Sequence, residues 1–458
     1  MTRRDMLRTI GSGFGMVGLA PLLGREPAAV GPLAVKPCHF PARAKHVIFL
    51  FLNGGPSQVD TFDPKPALTK YDGTPLPGGS LKTERKTGNL MRSPFQFKKC
   101  GQSGIEVSEI FPRLGDAIDD ICVIRSMYTD RPNHEPSLFQ MNCGTNFPGR
   151  PSMGAWITYG LGTENQNLPA YLVLCPGMPT VGTQLWSSAF LPGVFQGSYI
   201  RTSETDVEKL IPYLRSPKVK PAVQERQLEL LGELNRINLQ QNGADSQLEA
   251  NIQSMEIAFR MQSEALDVFD LSKESLAVKA RYGDGEFGRG CLMALRAVER
   301  GVRVVQVYFG NSQPWDNHED ILVHRELGAL SDAPVAALLS DLKSRGLFRE
   351  TLVIIGGEFG RTPVVENSGI VRVQNGRDHN SYGFSMLLAG GGVKGGITYG
   401  ATDDFGFKAV DKPVHVHDLH ATILHLLGLD HKRLTYRYSG RDFRLTDVEG
   451  NVIREIIS

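Results

Sequence analysis

The sequence predicts an α/β fold, a mostly parallel central sheet with helices on both faces and one helical insert. Three observations predict it. Short apolar runs recur along the chain and stop at turn residues, as 46–52 (His-Val-Ile-Phe-Leu-Phe-Leu) stops at Asn53-Gly54-Gly55-Pro56. Such runs suit strands buried on both faces of a parallel sheet. These strands alternate with segments of helical periodicity, which argues for crossover connections. Glycine is also plentiful, 50 residues in 458, as a fold with many tight turns requires.

The elements follow in order. After the strand at 46–52, residues about 64–105 are rich in Pro, Gly, Lys and Thr and read as a long surface excursion. Further strands are expected at 121–124, 170–174, 302–309, 351–355 and 384–388, with helices at 291–300, 336–344 and 417–427, the last ended by Gly428. Between about 205 and 282 the composition shifts to Glu, Gln, Leu and Arg. Leu228, Leu230, Leu231 and Leu234 stand at helical spacing there, so this stretch reads as an amphipathic helical insert. Asn242-Gly243 interrupts it too early for a coiled coil.

The amino terminus carries Arg3-Arg4 ahead of a Gly-rich apolar run from Ile10 to Leu23. This is the layout of a twin-arginine signal, and the run is too short for a comfortable membrane span. The expected organisation is a signal peptide and leader over 1–35 and one domain over 36–458. The expected destination is periplasmic or extracellular, by way of the twin-arginine machinery, with no integral span once the signal is removed. Lys+Arg 50 against Asp+Glu 49 leaves no electrostatic case for nucleic acid. No two of the six cysteines have CxxC spacing, which argues against a zinc knuckle.

In parallel sheets, chemistry gathers beyond the carboxyl ends of the strands. Four segments fall there: 53–63, 134–144, 315–320 and 358–379. They contain Asn53, Ser57, Asp60, His134, Ser137, Asp316, His318, Glu358, Arg361, Asp378 and His379. Mixed imidazole and carboxylate donors suit zinc, manganese or iron. His134 has three readings: nucleophile, metal ligand or general acid/base, or a hydrogen-bonded residue at a helix start. Ser137 is of the N-capping type. Arg361 could clamp an oxyanion or neutralise a carboxylate, and Arg377 could do the latter. His415, His417, His420 and His425 read as packing and solvent contacts.

Three motifs in order carry a resemblance. His134-Glu135-Pro136-Ser137 through Gly144 resembles the C-x-P-S-R motif of sulfatases with its closing glycine. The run 351–360, ending Gly357-Glu358-Phe359-Gly360, resembles their strand ending in Ser-Asp-His-Gly. The run 416–428 resembles their late helix. Gly54-Gly55-Pro56-Ser57-Gln58, Trp315-Asp316-Asn317-His318 and Gly357 to Pro363 are similar to the sulfatase-like family called domain of unknown function 1501, within the alkaline-phosphatase superfamily. The resemblance implies that superfamily's fold and an exported hydrolase of sulfate or phosphate esters. It implies a divalent metal at Asp316, His318, Glu358, Asp378 and His379, and catalytic roles for His134, Ser137 and Arg361. Asn53, Ser57 and Asp60 are further cleft candidates. His134 stands where sulfatases carry the cysteine that becomes formylglycine, so that mechanism is excluded. The alternative is a non-catalytic relative that binds an anionic glycan, sulfated or phosphorylated, or a protein partner.

Overall fold

The structure is a computed structural model. It describes residues 31–458 except 80, 211–218, 243–251, 253–254, 257–258, 261–266, 368 and 370–374. The arginine pair and the apolar run after it lie outside the described residues.

The centre is a nine-stranded sheet. Its strands are β1 (His46–Phe51), β5 (Ile121–Tyr128), β6 (Tyr171–Cys175), β7 (Ser198–Arg201), β8 (Val304–Tyr308), β9 (Thr351–Gly356), β12 (Phe384–Gly390), β13 (Ile397–Tyr399) and β16 (Val414–His415). The spatial order is β13-β5-β12-β9-β1-β8-β6-β7, with β16 also paired to β5. β1 lies between β8 and β9, parallel to both, with Phe49 opposite Gln306 and Ile354. Every residue of β1, β6, β8 and β9 is buried, which explains their unbroken apolar runs.

One expected strand departs from the parallel rule. β12 runs antiparallel to both of its neighbours, β5 and β9. An apolar run carries no directional signal, so the sequence leaves this open. The reversal has a consequence for the site: β12 begins at the edge where its neighbours end. The residues just before it are thereby brought over that edge.

Two smaller features frame the same edge. β2 (Thr87–Leu90), β10 (Gly360–Glu366) and β11 (Arg377–Asn380) form a separate antiparallel sheet, with Arg361 opposite His379. The excursion after β1 also contains a hairpin of β3 (Phe97–Cys100) and β4 (Ile105–Ser108). β14 (Ala401–Thr402) and β15 (Ala409–Asp411) make a short ladder beyond β13. Helices Glu286–Glu299 and His324–Ser344 pack on each other, and the former packs on β8. In the Leu-rich stretch the described helices are Val207–Leu210, Pro221–Asn242 and Leu276–Tyr282. No helix among the described residues is long and apolar enough to cross a membrane.

All six cysteines are free thiols; Cys38 is exposed and the other five are buried. Burial pushes the thiols of Cys122, Cys143 and Cys175 up to about 12, which leaves them protonated and inert at neutral pH.

Candidate metal centre

Four strands of one direction deliver the site. β1 turns through Asn53 and Gly54. β5 leads to the helix His134–Cys143, β8 leads to Trp315-Asp316-Asn317-His318, and β9 leads to Glu358. His379 comes from β11, immediately before the reversed strand β12. The turn after β1 is drawn tightly against the Trp315 loop. The Trp315 amide donates to the Asn53 carbonyl at 3.2 Å, and the Asn53 side chain donates to the Gly310 carbonyl at 3.0 Å. Gly54 adopts φ +114°, and a β-carbon there would lie 2.6 Å from the Asp316 nitrogen. Only glycine fits that approach.

Asp316 is the hub. Its Oδ1 lies 2.8 Å from His318 Nε2, 3.1 Å from His379 Nε2 and 2.6 Å from an Arg361 nitrogen; its Oδ2 lies 3.3 Å from His134 Nε2. The ligand atoms of His134, Asp316, His318 and His379 all fall within 4.8 Å of one another. Burial alone would raise the Asp316 carboxyl. The Arg361 guanidinium holds it far below the usual carboxylate range instead.

The far side of each ring is equally ordered. His134 Nδ1 is 2.7 Å from Glu358, His318 Nδ1 contacts Glu366, and His379 Nδ1 contacts Glu84. Three carboxylates thus claim the three Nδ1 protons and turn the three Nε2 atoms inward. A ring nitrogen that donates to a carboxylate while its partner nitrogen faces other donors is the arrangement that orients metal-ligating histidines.

This permits a test of fit. His318 Nε2 and His379 Nε2 are 3.0 Å apart, so they cannot both carry protons. With Glu366 and Glu84 holding the Nδ1 protons, both Nε2 atoms present lone pairs, beside a carboxylate. His134 Nε2 is buried and meets no hydrogen-bond geometry. Burial disfavours a proton on His134, yet its contacts with Asp316 and Glu358 outweigh this and raise its pKa. Five carboxylates (Glu84, Asp316, Glu358, Glu366 and Asp378) surround the cluster, against the guanidinium groups of Arg85 and Arg361. Converging lone pairs and an excess of negative charge fit a divalent cation.

The expected site residues separate into three groups. Asp316, His318 and His379 face one another, and His134 joins them. Glu358, expected among the ligands, stands behind His134 instead. It is fully buried and accepts from the Gly54 amide at 3.1 and 3.2 Å as well as pairing with His134. Asp378 also lies outward of the hub, where it accepts from the amides of Arg85 at 2.7 Å and His379 at 2.8 Å.

The third group is structural. Ser137 is of the capping type, but the N-cap is Asn133; Ser137 is buried one turn inside the helix, and its hydroxyl donates to the Arg131 carbonyl. Arg361 is fully buried, and each guanidinium nitrogen is engaged, by Gly55 (2.9 Å), by Arg377 (3.2 Å), and by Gly54, Trp315 and Asp316. The group is held by carbonyls and by Asp316, whose charge it neutralises. Ser57 donates to Asp60 at 2.5 Å, and Asp60 pairs with Arg377 at 2.7 Å in a fully buried ion pair. Burial would raise the Asp60 carboxyl, but Arg377 and Ser57 bring it below its ordinary value. Asn53, Ser57 and Asp60 therefore build the floor under the donors.

Two residues of the site escaped the sequence reading. Glu84 lies in the Pro- and Gly-rich excursion, with no periodicity to mark it. Glu366 did leave a signal, a carboxylate closing the run Thr362-Pro363-Val364-Val365, and it is fully buried.

A family model matches residues 44–457, nearly the whole described chain. The chain belongs to the family described as protein of unknown function DUF1501. No curated protein matches it. Solved structures similar to it include the phosphonate monoester hydrolase SpPMH from Silicibacter pomeroyi, at 10% identity over 91% of this chain and 76% of that one, TM-score 0.37. The PsFucS1 sulfatase from Pseudoalteromonas sp. is similar at 12% identity over 84% and 68%, TM-score 0.34. The alkaline phosphatase from the Antarctic bacterium TAB5 is similar at 11% over 85% and 99%, TM-score 0.34. At these values the likeness decides nothing about chemistry, which rests on the residues of this DUF1501 member alone.

Proposed function

We propose that this DUF1501 protein is an exported, metal-dependent hydrolase of sulfate or phosphate esters. The observation that supports the reading is the triple pairing of His134, His318 and His379 with Glu358, Glu366 and Glu84, which aims three Nε2 atoms at Asp316. Zinc, manganese and iron(II) all suit three imidazoles and a carboxylate. A divalent ion held by these four residues would supply Lewis acidity toward a sulfuryl or phosphoryl oxygen.

The protein's own groups do the positioning. Glu84, Glu358 and Glu366 fix the ring tautomers, and Arg361 holds Asp316 ionised. Ser57 and Ser137 are committed to Asp60 and to a carbonyl, and His134 belongs to the donor set. This favours attack by water over a covalent enzyme intermediate.

A second reading, a binding protein for an anionic glycan or a protein partner, is favoured by one feature: the fully buried Arg361 guanidinium is engaged by backbone carbonyls and Asp316 and does not stand open to a reacting oxyanion. The two readings part in one experiment. Protein purified without chelator is analysed for metals and offered a panel of aryl sulfates and phosphates, beside a His318→Ala, His379→Ala double variant. Stoichiometric metal and turnover in the wild type, both lost in the variant, are expected. Metal without turnover, or no metal at all, would move the reading to binding, and the second result would remove the metal site as well. Export rests on Arg3 and Arg4. Lysine at both positions should hold the protein in the cytoplasm, and unchanged export would remove that part of the proposal.

A further inference from the structure

Past the far end of the helix His134–Cys143 stands a cluster of arginines and aromatic rings. The helix has 10 residues, so about 15 Å of helix separates this cluster from the hub. A hairpin of the strands Tyr436–Tyr438 and Arg441–Phe443 supplies three of the rings. Phe190 stacks on Tyr436 and Tyr438, with centroids 5.9 and 4.9 Å apart, and meets Phe443 at 5.1 Å. Phe190 and Phe443 are half-buried, whereas Tyr438 is 48% exposed and leaves the stack open to solvent on one side.

The charges here are not balanced. The guanidinium carbon of Arg150 lies 3.9 Å from the centre of the Phe443 ring, and that of Arg441 lies 4.9 Å from it. Arg150 and Arg444 line one small cleft with Thr145, Phe190, Phe443 and Asp447. The carboxylate of that cleft is already taken: Asp447 pairs with Arg441, and its carbonyl accepts from Arg444 Nε. Among the described residues, nothing accepts from the Arg150 guanidinium or from the two terminal nitrogens of Arg444. Three guanidinium charges are thus set against one carboxylate. Burial lowers the pKa of Arg150, and Asp447 does not offset it. At the hub, by contrast, Arg361 is engaged by carbonyls and Asp316. Open guanidinium forks suit the oxygens of a sulfate or phosphate group. The exposed ring beside them suits the apolar face of a sugar. A net charge of +1 provides no extended basic track for a nucleic acid.

We propose that Arg150 and Arg444 form an auxiliary site for a sulfated or phosphorylated saccharide, with the anionic group on the two guanidinium forks and a sugar face against Tyr438. This rests on the reading above for the class of ester, and it places a second point of attachment for that ester outside the metal centre.

The experiment is titration calorimetry of the full chain at physiological salt. The probes are a chondroitin sulfate tetrasaccharide, its desulfated form, inorganic sulfate and a short single-stranded DNA. The sulfated tetrasaccharide should bind at least about tenfold more tightly than the desulfated one, the scale of hydrogen bonds to a charged group. Arg150→Gln with Arg444→Gln should abolish that preference. Tyr438→Ala should weaken the tetrasaccharide about fivefold and leave the weaker binding of inorganic sulfate unchanged. The His318→Ala, His379→Ala variant should bind as the wild type does. Arg150→Gln alone is a second route should the double variant fail to fold, and circular dichroism checks each protein. Undiminished binding by the arginine variants would overturn the proposal. So would equal affinity for the two saccharides, inorganic sulfate binding as tightly as the tetrasaccharide, tighter binding of the DNA, or no binding of any probe. Binding lost only in the histidine variant would put the sugar at the hub, which overturns this proposal and leaves the hydrolase reading standing. Binding at the arginines without turnover of the aryl esters would do the reverse.

Discussion

The helix His134–Cys143 has a histidine and carboxylate cluster at each end, and the two clusters are built differently. At its start, His134, His318 and His379 each spend Nδ1 on a carboxylate and point Nε2 at Asp316. Past its end, His417 Nε2 contacts the Gly144 carbonyl at 3.0 Å, and His415 Nε2 lies 3.1 Å from Asp130. Their Nδ1 atoms are near Glu449, at 3.4 and 3.7 Å, but the His415 Nδ1 lone pair already accepts the His417 amide as a helix cap. Glu449 is 62% exposed, whereas Glu358 and Glu366 are wholly buried. Proximity of donor types is common to both. What separates them is the partner of the other ring nitrogen, and whether the lone pair left over is free.

The comparison can be broken in several ways. The largest expected effect is at the hub. Asp316→Ala strands the buried Arg361 charge and should cost about 3 kcal/mol, the low end for a broken buried pair because Asp316 keeps some solvent contact. Glu449→Ala should stay within about 0.5 kcal/mol, as surface changes do. Urea melts of the two variants measure both, and equal losses would erase the distinction.

Metal response comes next. At 100 times its dissociation constant, a bound ion stabilises the folded state by about 2.7 kcal/mol. Adding zinc or manganese should therefore raise the melting temperature of the wild type and of His417→Ala, but not of His379→Ala. A response lost in His417→Ala would put the ion at the wrong end of the helix.

The orienting carboxylates sharpen the contrast further. Glu366→Gln should weaken metal affinity about 10- to 100-fold, the usual cost of losing a carboxylate behind a ligating histidine. Asp130→Asn, behind His415, should leave affinity unchanged in the same titration calorimetry.

The last effect is on pH and belongs to the second cluster. His420 is fully buried, with Nε2 on the Met141 carbonyl, and burial lowers its pKa to about 3. The folded protein keeps it neutral while the unfolded chain takes a proton below about pH 6.5. The unfolded state then holds more protons. Stability should fall as pH drops from about 6.5 toward 3, by up to about 1.4 kcal/mol per pH unit for this group. His420→Gln should flatten the curve of stability against pH; an unchanged slope would show that His420 does not carry it.

How far the sequence could be read follows from what each residue does. β1, β8 and β9 were legible because burial on both faces leaves an apolar run with a turn after it. The direction of β12 was not, since Phe384–Gly390 has the same apolar character either way up. Asp316, His318 and His379 were visible as donors near strand ends. Glu358 resembles an aspartate position among the ligands. One methylene longer, it reaches the Gly54 amide and His134 Nδ1 behind the site. Glu84 was hidden because its partner is 295 positions away and its own surroundings are polar loop. No local pattern records a contact that only tertiary packing creates.

The turn at Gly54 has a consequence for sorting related chains. The approach of β1 to the Trp315 loop is set by backbone against backbone, so no rearrangement of side chains can make room for a β-carbon at this position. A homologue with any other residue there must have moved one of the two loops, whatever histidines and carboxylates it keeps. This single position therefore offers a steric filter for genome surveys: chains that pass can assemble the hub, and chains that fail should be set aside before their metal ligands are counted.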